Sequence, residues 1–322
     1  MTGKRVAGAL LLALLPSAAF AYLHFRVTLA GQEVPARWRT FPVRYAVAEG
    51  GVPGVTTQEL QRVVQEGIEA WRSVPGASVS FQFEGVTRGA VTNDRIATVG
   101  FEPLGPGVLG VTRVLINTIT GELVDGDIGL TTGASWTPNP PQADRRDLVA
   151  TTTHELGHML GLAHSAVGET ETVSGGRRVI GTETIMFPIS FSVGTAGRRI
   201  RPDDEASLRV LYPADSTRGS LSGRVTRGGR GVQGAHVVSF DLESEELVAG
   251  FTLNGNGDFT IGGLRAGPKV LRVEPLDDAD FSSFFSSAFL VETGFQVTFH
   301  DRLVLVPAGG AAAPVTIEVA AR

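Results

Sequence analysis

The segment His154–His164 carries a dense set of groups that can bind a metal ion. It reads H-E-x-x-H-x-x-G-x-x-H and holds three of the six histidines in the chain. Neutral imidazoles are common Zn²⁺ ligands, and catalytic zinc sites with three protein ligands keep a fourth position open. Glu155 follows the first imidazole and could accept a proton from a zinc-bound water. We therefore predict a catalytic zinc site with His154, His158 and His164 as ligands and Glu155 as general base.

A helix followed by a tight turn can bring these side chains together. The first two histidines are four residues apart, so a helix places both on one face, one turn apart. Residues 144–161 favour such a helix, because aspartates near its start can cap it and apolar residues recur at helical spacing. Gly161 can adopt the left-handed backbone conformation that ends a helix. The chain could then return His164 towards the first two imidazoles.

The sequence around this segment resembles the metzincin zinc endopeptidases, and above all their matrixin family. Ser165 follows the third histidine, as in the matrixin form of the motif. Downstream, Glu183–Pro188 resembles the family's Met-turn, whose methionine forms an apolar floor under the zinc. The resemblance gives this role to Met186, for which ordinary core packing is the alternative. Pro188 stands where the astacin branch of the clan has a tyrosine ligand, so no further protein ligand is expected.

The resemblance extends over about residues 36–213. Residues 38–47 resemble the first strand of a matrixin catalytic domain, and a capping box at Thr56 followed by an apolar stripe predicts the long first helix. The segment of Val108, Leu109, Gly110 and Val111 resembles the family's edge strand above the cleft. Such a strand would pair with an extended peptide substrate. An edge that is merely solvated is the alternative. The fold implied for residues 22–213 is an α+β metzincin catalytic domain, a twisted mixed sheet with long helices.

This resemblance implies a secreted zinc-dependent endopeptidase that hydrolyses peptide bonds in extracellular proteins. One alternative is a zinc-binding pseudoenzyme whose C-terminal domain provides a binding or adhesion function. The intact Glu155 argues against it, because a decayed enzyme is expected to lose its base first. A metal-dependent hydrolase acting on another substrate is the second alternative. We expect a monomer with a protein or peptide substrate, and the mild acidity of the chain, with a net charge of −5, argues against a nucleic-acid partner.

The sequence departs from the better-known matrixins in the means of inhibition. Their inhibitory propeptide uses a cysteine to occupy the zinc, and this sequence contains no cysteine. Calcium is a candidate second cofactor, with Asp94, Asp125 and Asp127 as candidate ligands. Isolated loop aspartates more often serve as turn residues, so both interpretations stay open.

Residues 1–21 have the pattern of a cleaved secretory signal peptide. Lys4 and Arg5 precede the apolar run Val6–Leu15, which is too short to span a bilayer, and Ala19-Phe20-Ala21 provides a cleavage site of the A-x-A type. The sequence shows no other stretch long enough for a transmembrane segment. We expect an exported, extracellular protein, or a periplasmic one if a second membrane is present.

A second domain is predicted for residues 221–322, after a linker at 214–220. Short alternating segments separated by glycine-rich turns predict an all-β sandwich there. The order L-S-G-R-V, G-V-Q-G-A-H-V and G-D-F-T-I-G-G-L-R-A-G resembles carboxypeptidase regulatory-like domains of the transthyretin type, which implies an accessory or binding module. Five phenylalanines crowd residues 281–295. We favour a role in the sandwich core over the alternative, an exposed docking surface.

Overall fold

The computed structural model describes residues 24–88, 94–139, 142, 144–189 and 195–322. The expected signal peptide therefore lies outside the described residues. The first part of the fold contains eleven strands and three helices within these ranges. In chain order they are β1 (Arg26–Leu29), β2 (Gln32–Pro35), β3 (Val43–Ala48), α1 (Thr57–Arg72), β4 (Phe81–Thr87), β5 (Ala97–Glu102), β6 (Gly110–Asn117), β7 (Glu122–Thr131), β8 (Trp136–Thr137), β9 (Arg146–Asp147), α2 (Leu148–Met159), β10 (Gly168–Val173), β11 (Gly176–Thr182) and α3 (Pro202–Leu211).

A five-stranded mixed sheet with the order β4-β3-β5-β7-β6 organises this part of the chain. Strands β3, β4, β5 and β7 are parallel to one another. Strand β6, at the edge of the sheet, runs antiparallel to β7. Side chains of β3, β5 and β7 pack with the helices in one buried cluster that includes Trp71, Leu156 and Met186. The mixed sheet and its helices agree with the predicted α+β class.

The two long helices follow the sequence pattern closely. Thr56 caps α1 through the predicted capping box with Glu59, and the apolar stripe Leu60, Val63, Val64, Gly67, Ile68 and Trp71 is buried. Asp147, one of the two aspartates at residues 144 and 147 that could cap this helix, is the cap of α2 and accepts hydrogen bonds from the backbone amides of Val149 and Ala150. Among the described residues, the structure contains no helix whose length and apolarity would suffice to cross a membrane.

The second part of the fold is built from strands only, apart from a single 3-10 turn at Phe281–Ser283. Its strands are β12 (Gly219–Arg227), β13 (Arg230–Gly231), β14 (His236–Asp241), β15 (Leu247–Phe251), β16 (Asp258–Leu264), β17 (Gly267–Glu274), β18 (Thr298–Phe299), β19 (Val304–Val306) and β20 (Val315–Glu318). One sheet joins β13, β12, β16 and β20, and the other joins β15, β14, β17, β18 and β19. Both sheets contribute to one apolar core. The first strand begins at Gly219, inside the segment predicted as a linker.

The two parts are joined by buried polar contacts as well as by the connecting chain. Arg177 of β11 reaches into the second part, where its Nη1 atom lies 3.2 Å from Glu274 Oε1 and its Nε atom 2.8 Å from Asp278 Oδ1. The Arg177 and Glu274 side chains are only 1% and 2% exposed. His236 of β14 adds a hydrogen bond to the same Glu274 oxygen. A charged group buried in this way requires its partners, so the contact ties the two parts into one structural unit.

The ionisation of Glu274 gives this junction a predicted pH dependence. Burial opposes ionisation, but the hydrogen bond from His236 and the charges of Arg272 and Arg177 outweigh it and lower the pKa of Glu274 to about 2. The unfolded-state pKa of a glutamate is about 4.3, so ionised Glu274 stabilises the folded state fully above that pH. This stabilisation is lost as the pH falls from about 4.3 towards 2. We expect Glu274→Gln to lower the free energy of unfolding by on the order of 3 kcal/mol at neutral pH, and by progressively less from pH 5 to pH 3. Urea titrations across this range check the trend, with the exposed Glu169→Gln as control; a pH-independent difference would contradict it.

Candidate metal centre

The structure brings the three histidines of the motif together. His154 and His158 lie one turn apart on α2, and Gly161 has the predicted left-handed conformation, with a φ of 95°. The turn returns His164 so that one nitrogen of each ring lies within 4.8 Å of the others. Among the described residues, this is the sole group of three or more histidine or carboxylate side chains close enough to share an ion. The local sequence therefore positions all three imidazoles.

Each imidazole is held by a backbone carbonyl on its outer side. The Nδ1 atoms of His154, His158 and His164 lie 2.6, 2.8 and 2.6 Å from the carbonyl oxygens of Ile185, Leu162 and Ser283, respectively. A carbonyl can only accept, so each Nδ1 carries the proton and each Nε2 keeps its lone pair. Burial lowers the pKa of all three rings, that of His164 to about 4, which keeps them neutral. The inner nitrogens are therefore available as ligands.

The geometry and chemistry of these donors fit zinc. The Nε2 atoms of His158 and His164 lie 3.2 Å apart, although neither carries a proton to share with the other. Two nitrogens bound tetrahedrally at about 2.1 Å to one Zn²⁺ ion would be separated by about 3.4 Å. The observed separation is close to this value, and the carbonyl partners correspond to the outer hydrogen bonds that orient histidine ligands in metal sites.

Glu155 lies beside the imidazoles and is almost fully buried, with 5% of its surface exposed. Thr112 of the edge strand donates a hydrogen bond of 2.7 Å to its carboxylate Oε2. Burial raises the pKa of Glu155 to about 7, and the hydrogen bond from Thr112 opposes the rise. A carboxylate with a pKa near neutrality is suited to accept and later donate a proton. A Cβ atom added to Gly110 would lie 2.5 Å from Glu155 Oε1, so this glycine makes room for the carboxylate.

We expect Thr112→Val to reduce peptide hydrolysis about tenfold, because valine keeps the shape of threonine but removes the hydrogen bond to a charged carboxylate. Thr112→Ser retains the hydroxyl and should recover most of the activity. Measuring kcat/KM on one peptide for all three proteins provides the check. Equal values for the valine and serine variants would show that the hydrogen bond does not position Glu155.

Met186 lies directly below α2 and is 1% exposed. A Cβ atom at Gly157 would collide with the sulfur atom of Met186, so the methionine packs against the backbone of the helix between the first two histidines. Asp204 accepts hydrogen bonds from the backbone amides of Ile185 and Met186, at 3.0 and 3.2 Å. An aspartate of α3 therefore braces the turn that carries Met186.

A cleft of about 1550 Å³ opens above the three imidazoles. The edge strand β6 lines one side of it and pairs, among the described residues, with β7 alone. This strand begins at Gly110, so only Gly110 and Val111 of the four predicted edge residues belong to it. Val108 and Leu109 precede it, although the Leu109 carbonyl still accepts a hydrogen bond from Thr131 of β7. All four residues line the cleft.

Of the three candidate calcium ligands, Asp94 precedes β5 and Asp125 and Asp127 lie within β7, and their carboxylate oxygens do not form a group close enough to share one ion. Asp125 accepts hydrogen bonds from the amides of Arg95 and Gly126, and Asp127 accepts one from Thr98. Burial, together with the charges of Asp125 and Asp94, raises the pKa of Asp127 to about 7. Asp94 accepts a hydrogen bond from the amide of Ile96, which is the turn role that was the alternative, whereas Asp125 and Asp127 bind backbone amides from within β7. Calcium at this place stays a prediction.

Two groups at the site were not predicted from the sequence. Thr112 directly follows the four residues predicted as the edge strand, and Ser283, whose carbonyl accepts the hydrogen bond from His164, lies 119 residues beyond that histidine. The high density of phenylalanines at residues 281–295 could have drawn attention to the segment that contains Ser283. Phe295 is buried between the two sheets, as favoured, and Phe285 is buried in a smaller apolar cluster with Phe251 and Leu276. Phe284 and Phe289 pack against this smaller cluster but are partly exposed and line the cleft, so the favoured core role is incomplete for these two residues.

Comparisons with known proteins agree with this geometry. Residues 37–173 match the family model described as matrixin. Matrix metalloproteinase-16 of Mus musculus is 27% identical over 148 residues, which make up 44% of this chain and 23% of that protein. The chain thus spans less than a quarter of the length of this relative. The two matches support a matrixin-like metallopeptidase domain, and the cluster of His154, His158 and His164 lies inside the matched residues. Met186 and the second part of the fold lie outside the family match.

Proposed function

We propose that the protein is a secreted zinc-dependent endopeptidase that hydrolyses peptide bonds in extracellular proteins. The observation that carries the proposal is the convergence of three neutral imidazole nitrogens beside a buried glutamate, in a cleft bordered by the edge strand of a sheet. His154, His158 and His164 would hold the zinc ion. When bound, zinc would polarise the scissile carbonyl and acidify a water molecule.

The protein's own groups account for the proton transfers. Glu155 would accept a proton from the attacking water, since its carboxylate reaches into the same cleft as the imidazoles. The same carboxyl group would then donate the proton to the amine of the leaving peptide. Thr112 holds the carboxylate through Oε2, which leaves Oε1 to exchange the proton. This division of roles between the two oxygens follows from the hydrogen bond.

Peptide binding would use the backbone of the edge strand. Within the described part of the chain, one edge of β6 has no partner strand; β6 borders the cleft, and an extended chain can pair with such an edge through main-chain hydrogen bonds. This mode of binding depends little on substrate side chains, so it suits an enzyme that acts on proteins. The signal-like pattern of residues 1–21 supports export. N-terminal sequencing of the secreted protein tests this, and we expect the mature chain to begin at Tyr22.

The proposal is tested by a protease assay on casein or gelatin with the full-length protein. We expect cleavage that a chelator abolishes and that added Zn²⁺ restores. Stoichiometric zinc binding without any cleavage would contradict the peptidase and support the zinc-binding pseudoenzyme. Cleavage that persists after complete removal of the metal would contradict the role of the three histidines.

A further inference from the structure

One wall of the cleft comes from the second part of the fold. The segment Asp280–Phe289, which we name the phenylalanine loop, follows β17 and lies across the junction from the metal centre. Ser283, Phe284 and Phe289 of this loop line the same cleft as Glu155 and the three histidines. Leu253, which follows β15, lines it as well. The cleft above the imidazoles is therefore formed by both parts of the chain.

The phenylalanine loop is attached directly to the metal centre. The carbonyl oxygen of Ser283 accepts the hydrogen bond from His164 Nδ1 at 2.6 Å, and this bond fixes both the tautomer and the orientation of the ring. The ring of Phe284 meets the ring of His164 edge to face, with centroids 6.4 Å apart. The carbonyl groups that accept from His154 and His158 belong to the first part of the fold, whereas the one that accepts from His164 belongs to the phenylalanine loop.

The loop is held firmly enough to serve as a wall. Asp280 begins its 3-10 turn and accepts hydrogen bonds from the amide and the hydroxyl of Ser282, at 3.0 and 2.8 Å. Phe285 anchors the turn in the interior, stacking on Phe289 with centroids 4.4 Å apart and meeting Phe251 edge to face at 5.2 Å. Phe284 and Phe289 remain partly exposed on the cleft side. Aromatic rings fixed by their neighbours bind a ligand with little further loss of freedom.

We propose that the phenylalanine loop is a working part of the active site, which orients His164 for zinc and forms a subsite for a bulky apolar side chain of the substrate. The subsite rests on the proposed peptidase function, since its occupant is a side chain of the peptide held along β6. Phe284 and Phe289 present apolar surface that an aromatic or leucine side chain would cover, and such contacts favour large over small side chains. Phe284 is thus a specificity-determining residue and Ser283 a positioning residue.

The subsite is tested by peptide binding, which needs no turnover. Zinc-loaded Glu155→Gln protein is titrated with a series of octapeptides in which phenylalanine replaces alanine at each position in turn. We expect at least one phenylalanine position to increase affinity about tenfold, and the added Phe284→Ala substitution to remove that gain while leaving the alanine peptide unaffected. Phe299→Ala is the matched control, because Phe299 is 61% exposed and lies outside the cleft. An unchanged preference in Phe284→Ala would overturn the subsite.

The link to the metal is tested by zinc affinity, measured in competition with a chelator of known strength. Asp280→Ala removes the cap of the 3-10 turn and should weaken zinc binding about tenfold, as loss of a partner that orients a ligand does. Asp280→Asn keeps a capping oxygen and should restore the affinity. Equal zinc affinities in all three proteins would overturn the positioning role.

The outcomes separate this inference from the proposed function. A wild-type protein that cleaves no protein substrate, but whose Glu155→Gln variant keeps the preference for phenylalanine, would refute the peptidase and retain the subsite. Efficient cleavage with a side-chain preference that Phe284→Ala does not alter would retain the peptidase and refute the subsite.

Discussion

Glu155→Gln is expected to reduce peptide hydrolysis by about 10²–10⁴-fold, the contribution of a general acid–base group. Glutamine keeps the size of the side chain and an oxygen that can accept the hydrogen bond from Thr112, but it cannot take up the proton of the attacking water. The three imidazoles are untouched, so one equivalent of zinc should remain bound. Steady-state kinetics on a fluorogenic peptide, together with metal analysis of the same sample, provide the measurement.

The matched control is Glu169→Gln, the same change at an exposed position of β10 outside the cleft. It should leave both turnover and zinc content at the level of the wild type. Turnover by Glu155→Gln equal to that of this control would exclude Glu155 as the base. Loss of zinc from Glu155→Gln would instead show that the substitution disturbs the metal centre.

Arg177→Met is expected to destabilise the folded protein by about 3–5 kcal/mol, the cost of removing one partner from a buried ion pair. The guanidinium contacts Glu274 and Asp278 at the junction and also lies 3.2 Å from the carbonyl of Ala166. Methionine fills much of the same space but removes the guanidinium donor from Asp278 and Ala166. It leaves Glu274 with only His236 and Arg272 as partners among the described residues. Urea denaturation at neutral pH, followed by tryptophan fluorescence, measures the change in the free energy of unfolding.

The neighbouring residue provides the control for this substitution. Arg178 is adjacent in sequence, but its side chain is 63% exposed and pairs with the exposed Glu171. A surface pair of this kind contributes about 0–1 kcal/mol, so Arg178→Met should have a small effect. A similar decrease in the free energy of unfolding for both variants would contradict a special stabilising role for the buried contacts of Arg177.

The sequence predicted those parts of the site that depend on local chain geometry. The spacing of His154 and His158 requires only a helix, and Gly161 requires only a turn, so the pattern was sufficient for both. The capping box at Thr56 and the buried stripe of α1 follow from the same helical period. The edge strand was located but placed too early, because Val108 and Leu109 have strand-like side chains yet lie before the first residue of β6.

The remaining parts depend on contacts between distant segments. The partner of His164 is a backbone carbonyl, which every residue possesses, so Ser283 carries no signal in its side chain. In the sequence, Thr112 is indistinguishable from an ordinary strand residue. Only the folded structure, with β6 paired to β7, shows that it lies beside Glu155. The phenylalanines between residues 281 and 295 were noticed, but apolar side chains serve equally in a core and in a cleft wall. Only their packing distinguishes the two.

The shared wall of the cleft has a consequence for the order in which the protein matures. The carbonyl that holds His164 is contributed by a residue made 119 positions later. A nascent chain that has released only its first 213 residues has all the histidines of the motif, but the third ring has no partner for its outer nitrogen. The metal centre is therefore complete only after Ser283 has been synthesised, and a fragment that ends before β12 would lack the partner of His164.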